Sequence, residues 1–325
     1  MMNHRQRIET CLSEKQVDRT PVAMWRHFPG DDQSPESLAA ATLHWQKEYD
    51  WDIVKVTPAS SYAIKDWGVT DEWRGDGEGT RSYTKRVIIS PEDWTRLPVL
   101  DIDSPHLAAQ LKCLAILRHE LGPDVPLVQT IFSPLSQAKN LAGGETLLAH
   151  MRMRPDFVNR GLEIIGESTR KFIRAARSNG LIDGVFYAVQ HAQASLLSAE
   201  EFSEFGRVHD LFTLESARPL WLNILHLHGV NVFFSSVTDY PVQIINWHDR
   251  DTPPSLSLAL KRTSLTLCGG IRRETMVYGT PTEILAETND AIQQTQGKRL
   301  ILGTGCVVPV IAPHGNLMTA RTSVE

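Results

Sequence analysis

The chain has only four cysteines in 325 residues, Cys11, Cys113, Cys268 and Cys306, and their wide spacing, with no C-x-x-C pair, gives no sign of a disulfide framework or a zinc knuckle. No run approaches the roughly 18 apolar residues that span a bilayer, and the opening MMNHRQRIETCLSEK holds no apolar stretch of the signal-peptide kind. A cytoplasmic location is therefore expected. Lysine and arginine are scattered over a chain of net charge -5, so neither nucleic acid nor an anionic membrane surface is an expected partner. No G-x-G-x-x-G follows the first strand-like run, which removes the signal for a dinucleotide fold, and no Asp-x-His-x-x-Gly motif for holding a corrinoid is present. Internal repeats and low-complexity linkers are also missing.

What is there is apolar material for a sizeable core, at 42% hydrophobic and 22% charged residues, arranged in short runs. Runs rich in Val, Ile, Leu and Phe occupy Pro21–His27, Asp52–Thr57, Pro126–Phe132, Asp183–Val189, Trp221–His228, Val242–Trp247, Leu265–Gly269 and Arg299–Gly305. Helix signals lie between most of them. Ser34–Glu48 opens with Ser-Pro-Glu, and Pro155–Ser178 carries Phe157, Leu162, Ile165, Phe172 and Ile173 at helical spacing before Asn179-Gly180. Ser198–Ala217 begins with Ser-Ala-Glu-Glu, a capping box, and Thr280–Gln296 with Thr-Pro-Thr-Glu, which combines a cap, a proline and an acidic first turn. Eight β-α alternations imply a parallel sheet able to close, so the fold class is α/β, a (β/α)₈ TIM barrel, as a single domain over 1–325. Residues 68–100 break the rhythm and read as a β-hairpin insertion after strand two, around Gly75–Gly79.

In the Trp221–His228 run, His226 and His228 stand two apart near the strand's C-terminal end and so face the same way, into the barrel where such folds do their chemistry. They are either metal ligands or hydrogen-bonded core residues. Past the other strand ends come Gln190 and His191, then His248, Asp249 and Arg250. His248 is a candidate fourth ligand or a general acid/base with Asp249 orienting it; the competing reading is a loop-entry capping cluster. Trp25, Trp51, Trp67 and Trp247 lie near strand ends, as core packing or pocket lining. His314 reads as a helix-entry residue.

The segment VDRTPVAMWRHFPG, with Asp18, Arg19, Pro21, Met24 and Arg26, resembles the N-terminal signature of the uroporphyrinogen decarboxylase superfamily. Tyr278-Gly-Thr-Pro281, Leu267–Ile271 and the ending Gly303–Asn316 continue the resemblance over most of the chain. The resemblance implies the barrel and assigns Arg26 to a substrate carboxylate. The second arginine of the decarboxylase signature falls on Gly30, the strand-two aspartate falls near Lys55 and Thr57, the tyrosine falls near Ala138 or Lys139, and the terminal histidine becomes Thr304. These losses speak against a carboxylate-rich tetrapyrrole.

The superfamily also contains cobalamin-dependent methyltransferases, which have His-x-Cys-Gly in strand five and a second cysteine in a G-C-x-x-P context. The match here is His226, His228 in place of the first cysteine, and Cys306 in Gly305–Pro309. The resemblance thus implies a zinc site of two histidines and one thiolate with an open fourth position. Arg26, Lys55, Gln190 and His191 would bind substrate, and His248 and Asp249 would act on it. The leading expectation is methyl transfer with a corrinoid or thiol partner carried by another protein. The alternatives are a cofactor-free uroporphyrinogen decarboxylase and a non-catalytic barrel that binds a small molecule. A homodimer is implied by the resemblance alone.

Overall fold

Seven parallel strands curl into one sheet, and an eighth segment joins its ends through backbone hydrogen bonds. The computed structural model describes residues 1–325. In chain order the strands are β1 (Val54–Val56), β2 (Thr70–Glu72), β3 (Ser82–Lys85), β4 (Leu127–Phe132), β5 (Gly184–Val189), β6 (Ile224–Leu227), β7 (Ile244–Trp247), β8 (Thr266–Ile271) and β9 (Leu300–Thr304). The sheet order β1-β4-β5-β6-β7-β8-β9 follows the chain, while β2 and β3 pair only with each other. Strands buried along their whole length, as β4, β5, β8 and β9 are, need apolar residues on both faces, which is why they read as continuous runs.

Pro21–His27 departs from expectation, because it forms a single bridge, Val22 to Leu302, instead of a full strand. Leu302 N–H donates to the Pro21 carbonyl at 2.8 Å, Ala23 N–H donates to the Leu302 carbonyl at 2.9 Å, and Asp52 N–H donates to the Val22 carbonyl at 2.9 Å. Proline has no N–H to offer the ladder, and beyond Ala23 the chain swings to the loop after β9, where Trp25 accepts from Val308. The side chain of Asp52, fully buried, binds the seam below: it accepts from Val22 N–H, Arg7, Arg19 and His4. Asp18 and Arg19 of the N-terminal signature therefore belong to this ion-pair network with Arg7 and Asp52, not to the mouth.

The helix signals translate closely. Ser34 caps Pro35–Tyr49, the long helix Pro155–Ser178 buries Leu162, Ile165, Phe172 and Ile173, and Thr280 with Glu283 forms a complete capping box before Pro281–Thr295. Ser198 and Glu201 form another, but the helix they start widens into a π-helical stretch at Phe202–Arg207. A Cβ at Gly206 would lie 2.5 Å from the Phe202 ring, so the glycine makes room for that widening. Two crossovers hold almost no helix: β6 to β7 has one 3₁₀ turn, Phe234–Ser236, and β7 to β8 has Leu256–Ala259.

The hairpin of β2 and β3 is present, and its tip lies against the barrel mouth. Val310 N–H donates to the Gly77 carbonyl at 2.8 Å, and Glu78 pairs with Arg273 at 2.6 Å. Gly79 sits at φ +79, and a Cβ there would lie 2.5 Å from that of His27, so this approach needs glycine. Trp25, Trp51 and Trp247 are core residues, while half-buried Trp67 donates to the Pro98 carbonyl. No helix is long and apolar enough to cross a membrane.

Candidate metal centre

Parallel register brings His226 opposite Asn246, and Asn246 opposite Cys268. Residues 226 and 228, 246 and 248, and 304 and 306 share the inward parity of their strands and of the first residues beyond them. The side chains of His226, His228, His248 and Cys306 consequently meet: one potential ligand atom from each lies within 4.8 Å of all the others. Ring centroids are 5.9 Å apart for His226 and His228, 5.4 Å for His228 and His248, and 6.1 Å for His226 and His248. Cys306 Sγ is 3.7 Å from His228 Nδ1. Zinc bonds of about 2.0–2.3 Å put tetrahedral ligand atoms roughly 3.3–3.8 Å apart, a spacing this contact already has.

Hydrogen bonding sets the His226 tautomer. The Asn246 amide N–H groups donate to the carbonyls of Cys268 at 2.8 Å and Thr304 at 3.0 Å, which leaves its oxygen as an acceptor. That oxygen is 2.7 Å from His226 Nδ1, so Nδ1 carries the proton and Nε2 presents a lone pair. His248 Nε2 is buried without any partner. Burial alone would raise the Cys306 thiol, but the three imidazoles around it outweigh burial and hold it well below the ordinary thiol value. Burial lowers His226, whereas the contact with Cys306 overcomes burial at His228 and raises it. A thiolate, a neutral imidazole with a fixed lone pair and an orphaned buried ring nitrogen are what a tetrahedral N/S metal site requires.

The remaining candidates divide. Lys55 is buried inside the barrel, its ammonium 4.6 Å from the Phe186 ring centroid and 3.0 Å from the Thr57 hydroxyl; Phe186 in turn stacks on His226. Burial pushes its amine down to about 7, against a smaller upward pull from Cys306. Arg26 has no carboxylate partner; its guanidinium lies over Trp45 and Phe28, and its Nε is buried and unpaired. Gln190 and His191 stand at the mouth, His191 with an unpartnered buried Nδ1. Asp249 does not orient His248. Its carboxylate turns the other way, accepting from Gly270 N–H at 3.2 Å beside Arg250, and the acid nearest His248 Nδ1 is Asp251 at 3.9 Å. Burial raises Asp249 to about 7. Arg250 pairs with Asp290, and His314 opens the helix His314–Thr322 against Tyr49, away from the cluster.

Asn246 and Arg273 escaped the sequence reading. For Asn246 a signal existed: Asn-Trp-His repeats, one strand later, the polar-apolar-polar pattern of His-Leu-His. Arg273 offered none, since it earns its place through a long-range contact, donating to the carbonyl of Val307, one residue past Cys306.

Among known proteins, the chain is 23% identical over 245 residues to the methylcobamide:CoM methyltransferase MtaA of Methanosarcina barkeri, covering 74% of this chain and 70% of that one. It is 19% identical over 254 residues to the methylcobamide:CoM methyltransferase MtbA of Methanosarcina mazei, covering 75% and 70%. A solved methyltransferase from Methanosarcina mazei superposes with a TM-score of 0.87 at 20% identity over 99% of this chain and 98% of that one. A B12-independent methionine synthase from Shewanella sp. W3-18-1 reaches 0.54 at 13% identity over 93% and 92%. Both structural likenesses establish the barrel fold. The profile of the uroporphyrinogen decarboxylase (URO-D) family matches residues 3–325, and the chain belongs to that family.

Proposed function

We propose that this protein is a zinc-dependent methyltransferase that passes a methyl group between a corrinoid, carried by a partner protein, and a thiol. The observation that carries this reading is the convergence of His226, His228, His248 and Cys306 at the barrel mouth. The named activity of the MtaA and MtbA relatives agrees with it. A decarboxylase would instead need the cations and carboxylate that Gly30, Lys55 and Thr304 replace.

His226 Nε2, a ring nitrogen of His228 and Cys306 Sγ would hold the metal, with His248 Nε2 at the fourth corner. Zinc bound there would hold a substrate sulfur as thiolate at neutral pH. His248 Nε2, buried without a hydrogen-bond partner, would take the proton of an incoming thiol when the acceptor occupies its corner. Asn246 keeps His226 in its tautomer throughout, and Arg273 holds the Cys306 loop through the Val307 carbonyl. The hairpin tip covers part of the mouth and limits water there. Cytoplasmic location and a homodimer, both expected from sequence, belong to the same proposal.

The test is metal analysis combined with methyl transfer from free methylcobalamin to a thiol, followed by loss of the methylcobalamin absorbance. About one zinc per chain and measurable transfer are expected, with both lost in Cys306→Ala. A protein that folds without stoichiometric metal, and whose transfer rate ignores Cys306→Ala, would defeat the reading.

A further inference from the structure

The segment that carries Cys306, residues 305–312, has neither helix nor strand of its own, so contacts with other segments decide where the thiol stands. Its backbone beyond Cys306 is held from two sides. On one side, Val308 N–H donates to the Trp25 carbonyl at 2.8 Å, and the Val310 carbonyl accepts from Arg26 at 3.4 Å. On the other stands the tip of the β2–β3 hairpin. Val310 N–H donates to the Gly77 carbonyl at 2.8 Å, and the Val307 carbonyl accepts at 2.9 Å from Arg273 Nε, whose Nη2 lies 2.6 Å from the Glu78 carboxylate. Glu78, Arg273, Val307 and Cys306 thus form an unbroken chain of contacts from the tip to the cluster, where Cys306 Sγ is 3.7 Å from His228 Nδ1. After burial and Cys306 itself, the charges that act on His228 are those of Arg273 and Glu78.

The tip holds its own shape. The Asp76 carboxylate accepts from Glu78 N–H at 2.9 Å, and the Asp76 carbonyl accepts from Gly79 N–H and from Trp73 Nε1, each at 3.0 Å. The base of the hairpin is pinned elsewhere, by Arg81 against Asp32 and the Pro29 carbonyl and by Arg86 against the carbonyls of Lys139 and Asn140. Docking of the tip rests on the Gly77–Val310 bond, the Glu78–Arg273 pair and the close approach of Gly79 to His27. A unit bonded within itself and docked by so few contacts opens without unfolding the barrel. When it lifts, Val310 loses Gly77, Arg273 loses its anion, and the cysteine segment keeps only its Trp25 and Arg26 side. A guanidinium suits the junction because its planar fork serves two acceptors in fixed directions, whereas a lysine ammonium is a point charge on a flexible stem.

We propose that Glu78 is a positioning residue for Cys306: docking of the hairpin tip sets the cysteine segment through Glu78, Arg273 and Val307, so that covering the mouth and aiming the thiol are one event. That Cys306 holds a metal rests on the function proposed above; the coupling of tip to cysteine does not.

Cys306 is its own reporter, since it is half-buried, while Cys11, Cys113 and Cys268 are buried and their thiols are raised by that burial, the first two to about 12. The full chain, stripped of metal by a chelator and in parallel loaded with zinc, is compared with Glu78→Gln, with Arg273→Lys, which keeps every charge but loses the fork, and with Glu72→Gln as control. Glu72 pairs with Arg74 on the same hairpin, away from the cysteine segment. Circular dichroism follows folding. In the stripped chain, alkylation of Cys306 by iodoacetamide, located by mass spectrometry, should run about fivefold faster in Glu78→Gln and Arg273→Lys, with deuterium uptake rising together in residues 73–79 and 305–312. Zinc affinity of the loaded chain should fall roughly tenfold in the same two variants, and Glu72→Gln should match the wild type throughout. Uptake that rises in the tip while residues 305–312 and Cys306 alkylation stay at wild-type values overturns the coupling, as does wild-type behaviour of Arg273→Lys. A wild type that takes up no zinc, yet shows the coupled change in its stripped variants, defeats the metal reading and leaves the role of Glu78 standing.

Discussion

Asn246 shows how much of the proposed metal site depends on a residue outside the ligand set. Its amide is pinned by two carbonyls, so its oxygen has one orientation and His226 has one tautomer. Outer partners of this kind typically support metal affinity by about 10–100-fold, and Asn246→Ala should lower zinc affinity by that amount in a chelator competition. An unchanged affinity would remove Asn246 from the site. Lys55 makes a different prediction. Its amine is pushed by burial from 10.5 to about 7, so once the pH falls below 10.5 folding must release a proton that the unfolded chain holds, and below about 7 it must bury the ammonium. The cost grows as pH drops to about 7 and is constant below that. Lys55→Met should therefore melt higher than the wild type at pH 7, with the gap shrinking toward pH 10; a gap independent of pH would show that Lys55 is not buried as a cation.

The elements were legible where local signals and burial agree. The capping box at Ser198, the caps at Thr280 and Ser34 and the amphipathic Pro155–Ser178 all formed as read, because each is fixed by contacts within a few residues. The β6 and β7 pairing of His226 with Asn246 was out of reach, since register is decided by long-range packing. Likewise, adjacency in sequence suggested that Asp249 serves His248, but consecutive residues at a strand end diverge, and Asp249 faces Gly270. The hairpin was readable from its glycines, while its docking was not. Gly79 tests that docking directly: Gly79→Val would put its side chain into His27 at a backbone angle that disfavours side chains, and the tip should lift from the mouth. The expected result is a raised KM for the thiol and faster proteolysis near residues 75–80, with near-normal melting; unchanged kinetics would assign the tip no part in closing the site.

At the scale of the whole molecule, the barrel was legible because its strands are buried runs in chain order, and the exception lies where the ring closes. Burial works against ionisation of Asp52, but the contacts from His4, Arg19 and Val22 N–H prevail and hold its carboxyl down to about 2. A depressed carboxylate stabilises the fold above its unfolded value of 3.8 and loses that contribution as pH falls toward 2, here about 2 kcal/mol. Wild-type stability should drop across that window, and Asp52→Asn, which leaves Arg19 without an acid and Arg7 with Asp18 alone, should cost about 3–5 kcal/mol at pH 7 while flattening the drop. Denaturant melts between pH 5 and pH 2 decide it.

The bridge from Val22 to Leu302 also has a dynamic consequence. A junction held by so few rungs exchanges its amide hydrogens through local opening, so Ala23 and Leu302 should take up deuterium well before the amides shared by β4 and β5. The chain that leaves this junction carries Arg26 and His27 to the mouth. Opening at this seam is therefore expected to shift the segment that carries Arg26 and His27 to the mouth, so exchange at Ala23 should report on the entrance as well as on ring closure.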